Sequence, residues 1–190
     1  MVGQILRESE STSELIEQLL TLARADADTA QLHFETVDMR DLMEELDSGS
    51  KTLAESYGIH WSSEISGEPV LVLGDRPHLR RLLLILIDNA CRYTKKGGSV
   101  HLRLIAQGQE ATIEVADTGI GIPPDELTRI FDRFYRASNA RFFDPEGTGL
   151  GLSIAHWIAT AHGGFLSAHS MVGSGTLMLV RLPLSGVAGE

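Results

Sequence analysis

The sequence predicts an α/β protein: a two-layer α/β sandwich preceded by one long N-terminal helix. Three observations carry this. Apolar residues recur at helical spacing in three long stretches beyond residue 37, and they alternate or cluster in seven shorter stretches bounded by turn residues. At 43% hydrophobic residues in 190, the chain has enough apolar mass for a substantial core.

Taken in order, residues 7 to 28 contain no Gly or Pro. Ile5, Thr12, Leu15, Leu19 and Leu22 step by 7, 3, 4 and 3, a heptad seam that suits one half of a helical hairpin. Residues 1–50 hold twelve acids against three bases, a net of −9, whereas residues 51–190 are nearly neutral at −1. The chain therefore divides into residues 1–30, half of a helical hairpin or bundle, and 31–190, a globular domain. Leu32–Thr36 reads as a short strand, and Asp38 caps a helix that runs to about Tyr57 and stops at Gly58. Ile59–Ile65 and Val70–Leu73 read as strands about the turn Ser66-Gly67-Glu68-Pro69. Asp75 caps the next helix, with Pro77 in its first turn, where a missing N–H does little harm. Strands follow at Ser99–Ala106 and Ala111–Ala116, then a short helix around Asp125–Phe131 and a polar, lid-like loop over residues 137–146. A helix from about Leu150 to His162 and the strands Phe165–Ser170 and Gly175–Leu182 complete the domain. The two shortest strands, Leu32–Thr36 and Val70–Leu73, are the weakest of the seven, which leaves a firm set of five.

Composition excludes several function classes. A net charge of −10 argues against coating nucleic acid. The single cysteine, Cys91, excludes a disulfide framework and a multi-cysteine metal site. The longest apolar run, Leu82 to Ile87, is far short of the roughly 20 residues a membrane-spanning helix needs. The expectation is a soluble, cytoplasmic chain.

Three motifs bear on chemistry. On the helix after Asp75, Leu79, Leu82, Leu83, Leu86 and Ala90 form a core-facing stripe, while Arg81, Ile85, Asn89, Arg92 and Tyr93 fall on another face. The Asn89 amide offers an oxygen to a hard cation such as Mg²⁺, and Arg92 can meet a phosphate; an ordinary solvated helix end explains the same residues. Asp117 continues the buried phase of Ala111, Ile113 and Val115, so its carboxylate points coreward beside Gly119 and Gly121. There it can accept the amine of an adenine, or it can start an Asx-turn. Gly147-Thr-Gly-Leu-Gly-Leu152 leads into an apolar-periodic helix, whose N-terminal N–H groups suit a phosphate, though no Gly-Lys-Ser/Thr follows. Ahead of it, Arg129, Arg133, Arg136 and Arg141 make a local basic patch, and Phe142-Phe143 are apolar residues in a polar loop.

The order of the motifs is more specific than any one of them. Asp88-Asn-Ala-Cys-Arg-Tyr-Thr94, Asp117-Thr-Gly-Ile-Gly-Ile122, Phe131-Asp-Arg-Phe-Tyr-Arg136, Gly147-Thr-Gly-Leu-Gly-Leu-Ser153 and Gly173-Ser-Gly-Thr176 follow one another. Together they closely resemble the nucleotide-binding boxes of sensor histidine kinases, members of the GHKL ATPase superfamily with gyrase, the heat-shock chaperone ATPase and the mismatch-repair ATPase. The resemblance covers about residues 36–185, and residues 18–26 look like the end of the kinase dimerisation and phosphotransfer hairpin. It implies a Bergerat-type ATP-binding fold, with a mixed sheet of about five strands and three helices, in a two-component kinase that binds ATP or ADP with Mg²⁺.

By that resemblance Asn89 would hold Mg²⁺, Asp117 would bind the adenine amine, and Gly119, Gly121 and Ile122 would shape its pocket. Tyr93 would lie beside the nucleotide, Arg92 and Arg136 would contact phosphates, the backbone of Thr148, Gly149, Leu150, Gly151 and Leu152 would wrap the triphosphate, and Tyr135 and Gly147 would belong to the same ATP site. Thr176 would join the ATP-binding residues, and Phe131 and Phe134 would anchor the lid base. The partners implied are the parent kinase's own phosphoacceptor hairpin, a response regulator and a second copy in a homodimer, with no nucleic acid; the parent is expected to be anchored in the inner membrane.

Two departures bear on activity. The family's phosphoacceptor is a histidine followed by an acid. The seven histidines here precede Phe34, Trp61, Leu79, Leu102, Trp157, Gly163 and Ser170. The stretch is therefore expected to be the C-terminal piece of a longer kinase, able to bind ATP without phosphorylating itself. Ile85 stands where such kinases carry a second Asn and hydrolytic relatives carry a Glu that activates water. An isoleucine offers no lone pair to a proton or a cation, which argues against a self-contained ATPase. The competing expectation is a nucleotide-dependent interaction module or degenerate kinase, and after it a GHKL-type ATPase.

Overall fold

The computed structural model describes residues 31–145 and 147–186. The long helix expected over residues 7–28 lies outside them. Seven strands and four helices follow in the order β1 (Glu35–Asp38), α1 (Met39–Tyr57), β2 (His60–Glu64), β3 (Leu71–Gly74), α2 (Arg76–Tyr93), β4 (Ser99–Gln107), β5 (Glu110–Asp117), α3 (Ser138–Phe143), α4 (Gly151–Ala161), β6 (Phe165–Met171) and β7 (Gly175–Pro183).

The five firm strands form a mixed sheet in the order β2-β4-β5-β7-β6. Only β2 and β4 run parallel, with Trp61 opposite Val100; the other pairs are antiparallel, as in Leu104↔Ile113 and Val115↔Met178. The two weakest strands do not join it. They pair with each other as β1 and β3, with Thr36 opposite Leu73. β1 also begins three residues later than the sequence suggests, because Asp38 ends the strand and caps α1 at once, accepting the Arg40 N–H at 3.0 Å.

Strand alternation builds one layer of the core. Val100, Leu102 and Leu104 of β4, Ala111, Ile113 and Val115 of β5, and Met178, Val180 and Leu182 of β7 are buried. The other layer is helical. Leu79, Leu82, Leu83, Leu86 and Ala90 of α2 pack in the same core as Ile154, Ala155 and Ile158 of α4 and Leu42, Met43 and Leu46 of α1. Each such leucine contributes about 1.5–3 kcal/mol by leaving water. The result is the expected two-layer sandwich.

The caps behave as the residue types dictate. The Asp75 carboxylate accepts the His78 N–H at 3.0 Å with Pro77 in the first turn, and Gly58 ends α1 in the left-handed conformation. Gly49 does not interrupt α1. The far end of α4 is tied to the start of α2 by His162, whose Nδ1 donates to the Ile158 carbonyl at 2.7 Å while its Nε2 accepts the Asp75 N–H at 2.9 Å.

One element is misplaced by the sequence. Residues 124–131 form successive turns instead of a helix, and the short helix lies at Ser138–Phe143, inside the segment expected to be a loop. Pro123 and Pro124 precede a stretch whose apolar residues Leu127, Ile130 and Phe131 satisfy helical spacing for barely one turn.

Candidate functional site

A cavity of about 590 Å³ lies between α2, the end of β5, α3 and the glycine-rich loop before α4. From α2 it is lined by Arg81, Ile85, Asn89, Arg92 and Tyr93, the whole second face of that helix. Of the sixteen residues singled out in the sequence, the cavity brings together fourteen: Asn89, Arg92, Tyr93, Asp117, Gly121, Ile122, Tyr135, Arg136, Gly147, Thr148, Gly149, Gly151, Leu152 and Thr176. Gly119 and Leu150 do not line it. Leu150 is fully buried in the core, and Gly119 sits behind Asp117, donating its N–H to Oδ1 at 2.7 Å.

Asp117 meets both readings its sequence allows. Oδ1 closes an Asx-turn with Gly119 and also accepts the Thr176 N–H at 3.2 Å. Oδ2 receives no hydrogen bond among the described residues. Burial pushes this carboxyl up to about 6, against the opposing pull of the Gly119 and Thr176 N–H groups. A half-satisfied carboxylate at the end of a cavity walled by Ile120, Ile122, Ile130 and Met178 suits a flat apolar group that carries an N–H donor.

Behind the carboxylate the backbone is close-packed. Gly121 has φ +66°, and a Cβ there would collide with the Met171 carbonyl, so neither the conformation nor the space admits a side chain. Ser170 fixes this turn by accepting the Ile122 N–H at 2.8 Å while donating to the Gly175 carbonyl.

At the opposite end, α4 starts at Gly151 with no side-chain cap, and Gly151 and Leu152 face the cavity. Its first N–H groups are therefore available to an anion, which the helix dipole also favours. Gly149 has φ +73°, and a Cβ there would stand within 3.0 Å of the Phe134 and Tyr135 backbone. Phe134 N–H donates to the Gly149 carbonyl at 2.9 Å.

Besides Arg81, two arginines face the same space, already engaged. Arg92 pairs with Asp88 at 3.2 Å and with Asp144 at 3.3 Å. These acids hold its guanidinium above its ordinary value although burial opposes them. Arg136, at 12% side-chain exposure, donates to the Asp144, Ala140 and Pro145 carbonyls. Arg129, Arg133 and Arg141 do not line the cavity, so the basic patch reduces there to Arg136. Arg129 instead lies 4.3 Å over the Tyr135 ring.

Asn89 donates an amide N–H to the Ile85 carbonyl at 2.9 Å, leaving its Oδ1 as the atom suited to a cation. Among the described residues there is no cluster of three or more His, Cys, Asp and Glu. A cation held here would therefore draw most of its oxygens from a ligand.

The aromatic residues around the lid divide between packed and exposed side chains. Phe131 is part-buried against the core with its ring 5.3 Å from His156, but Phe134 is 63% exposed and anchors nothing with its side chain. Phe142 is 93% exposed among the described residues, whereas Phe143 lies 6.3 Å from the Tyr93 ring.

Residues 74–186 match the family of histidine kinase-, DNA gyrase B-, and HSP90-like ATPases. The chain belongs to that family. Within this ATPase family it is 38% identical over 187 residues to the sensor histidine kinase RppB of Synechocystis, covering 98% of this chain and 41% of that protein. To the sensor protein SrrB of Staphylococcus aureus it is 33% identical over 179 residues, covering 94% and 30%. The chain thus spans less than half the length of these curated relatives. Its fold matches the Acinetobacter baumannii histidine kinase AdeS at TM-score 0.80 and 23% identity, over 97% of this chain and 84% of that one. It matches full-length ShkA, solved in complex with AMPPNP, at TM-score 0.80 and 30% identity, over 95% and 38%. Membership of this ATPase family makes ATP the ligand of the fold. Among the described residues, no helix is long and apolar enough to cross a membrane.

The cavity also holds residues that sequence reasoning passed over. Asp88 reaches it one residue before Asn89, and Asn139 and Ala140 reach it from α3. The second pair gave no signal, because a polar residue in a polar loop has no period to reveal its direction.

Proposed function

We propose that the chain is the ATP-binding catalytic domain of a two-component sensor histidine kinase, presenting the ATP γ-phosphate to a histidine outside this stretch. The observation that carries the proposal is a single cavity with two opposite chemistries in its lining. One is a buried carboxylate with one unused oxygen, and the other is an uncapped helix N-terminus together with Arg92 and Arg136. An adenine amine suits the first and a triphosphate the second.

In this reading Asp117 orients the base, Tyr93 and the isoleucines exclude water from it, and the N–H groups of residues 148–152 cradle phosphates. Arg92 and Arg136 neutralise charge once they leave their present partners. Asn89 Oδ1 would hold Mg²⁺, which supplies charge neutralisation on the phosphates when bound. Ile85 provides no base to activate water, so the domain favours delivery of the phosphoryl group to a partner over hydrolysis. The partners are then the parent's phosphoacceptor hairpin, in a homodimer, and a response regulator.

Calorimetric titration with ATP, with and without Mg²⁺, tests the pocket, with Asp117→Asn as control. Saturable binding that requires Asp117 supports the proposal. Adding a histidine-bearing hairpin and ATP labelled at the γ-phosphate then tests the transfer. Binding without transfer would favour the interaction module that Ile85 also allows.

A further inference from the structure

The lid helix α3 carries a side chain whose hydrogen bonding is incomplete. Asn139 donates Nδ2–H to the Gly121 carbonyl at 2.7 Å. A carbonyl can only accept, so this contact fixes which end of the amide is nitrogen and which is oxygen. The oxygen, Oδ1, is then buried and has no hydrogen-bond partner. Native structures seldom leave a buried acceptor unpaired, and the exceptions call for a missing donor.

Its surroundings say where that donor belongs. Asn139 lines the cavity together with Asp117 and Gly121. It is tied to the turn that begins at Asp117, whose Oδ2 is the other acceptor without a protein donor there. Two acceptors in one apolar-walled end of a cavity ask for a ligand group with two N–H bonds. An amino group on an aromatic ring has two, while a ring carbonyl in its place would face two acceptors with none.

We propose that Asn139 is a specificity-determining residue of the base pocket, its Oδ1 accepting the adenine amino N–H that Asp117 does not take. This rests on the nucleotide reading above and adds a second reader of the base. Because Asn139 rides on the lid, base recognition and lid position are coupled through it. Guanine, with an oxygen at the corresponding position, is rejected by both residues.

The test compares the unmodified chain with Asn139→Ala and Asn139→Ser, using ATP, 2′-deoxyATP and purine riboside triphosphate, which lacks the amino group. Loss of the contact is expected to weaken ATP and 2′-deoxyATP binding about tenfold, the scale of one hydrogen bond. Purine riboside triphosphate is expected to bind all three proteins alike. Equal weakening of every nucleotide would reduce Asn139 to a lid tether and overturn the proposal. A loss confined to ATP and absent with 2′-deoxyATP would assign the contact to the ribose and overturn it too, as would unchanged ATP binding. Should the unmodified chain bind ATP through Asp117 while any of these holds, the nucleotide reading survives and only this inference fails. Should it bind no adenine nucleotide, both fail.

Discussion

Arg92 and Asp144 form an ion pair of 3.3 Å between the end of α2 and the end of the lid helix. The pair closes a positive charge that faces the cavity with a carboxylate from the lid itself. Arg136 is engaged by the same segment, through the Asp144, Ala140 and Pro145 carbonyls. Under the proposed function, a triphosphate entering the cavity would compete with this lid aspartate for both cations, making nucleotide entry and lid rearrangement one equilibrium.

Removing the competitor is expected to favour the nucleotide. Asp144→Asn keeps the shape of the side chain and removes its charge. Since Arg92 is 37% exposed, solvent screens the pair, and the gain is modest, roughly two- to fivefold in ATP affinity. Titrations at low and high salt check it. The variant should bind more tightly at low salt and converge with the unmodified chain as salt rises. Unchanged affinity at low salt would mean that the lid aspartate does not compete.

The second expectation concerns pH. Asp117 is pushed up to about 6 by burial, and its ionised form accepts an amine N–H more strongly than the neutral acid does. Bound base favours the carboxylate, so protons compete with the nucleotide. Affinity should be level above about pH 7 and fall as pH drops through 6, approaching tenfold per unit below it. Adenosine is the clean probe, because it carries no phosphate titrating in that range. Asp117→Asn should bind weakly and show no such slope; a slope that survives in the variant would assign the titration elsewhere.

The sequence made most of this site legible because its residues sit on elements with strong periods. Asp117 follows the buried phase of β5, and Asn89 and Arg92 fall on a separate face of α2 that the leucine stripe defines by exclusion. The lid was not legible for the opposite reason. The α3 helix buries none of its residues, and its start is held by Glu126, twelve residues back, which accepts the Ser138 N–H at 2.8 Å. Neither fact leaves a local pattern. Asn139 was invisible in the same way, since its meaning depends on a carbonyl eighteen residues distant. Leu150 lies inside the glycine-rich motif, and its side chain is an apolar plug buried in the core where α4 begins.

A third expectation follows from His162 and concerns stability. Its Nε2 accepts the Asp75 N–H, so the ring must be neutral in the fold, and protonation would set two donors face to face. Burial lowers its proton affinity, partly offset by the Ile158 carbonyl and Asp75 and reinforced by His78. The folded state therefore binds this proton less readily than the unfolded chain. Stability is retained above the unfolded value near 6.5 and declines as pH falls below it. Thermal unfolding between about pH 5 and 8 measures this. His162→Gln should flatten that part of the profile while lowering stability throughout, by roughly 1–3 kcal/mol for the disturbed buried contacts. An equally steep profile in the variant would place the acid sensitivity in another group.

The last expectation turns on Ile85, which packs where α4 begins: a Cβ at Gly151 would stand 3.3 Å from its Cγ2. It lines the cavity one helical turn before Asn89, so a side-chain oxygen at this position joins the Asn89 amide on one face. Ile85→Asn is therefore expected to enlarge the gain in ATP affinity on adding Mg²⁺, by roughly three- to tenfold, while leaving affinity without metal close to unchanged. The substitution also places a polar amide in a half-buried apolar contact, at a cost of about 1–2 kcal/mol in thermal unfolding. The two effects separate cleanly because one depends on metal and the other does not. A variant that loses stability yet gains no metal dependence would show that residue 85 stands outside the cation's reach, and that Asn89 alone with the phosphates sets the metal's grip.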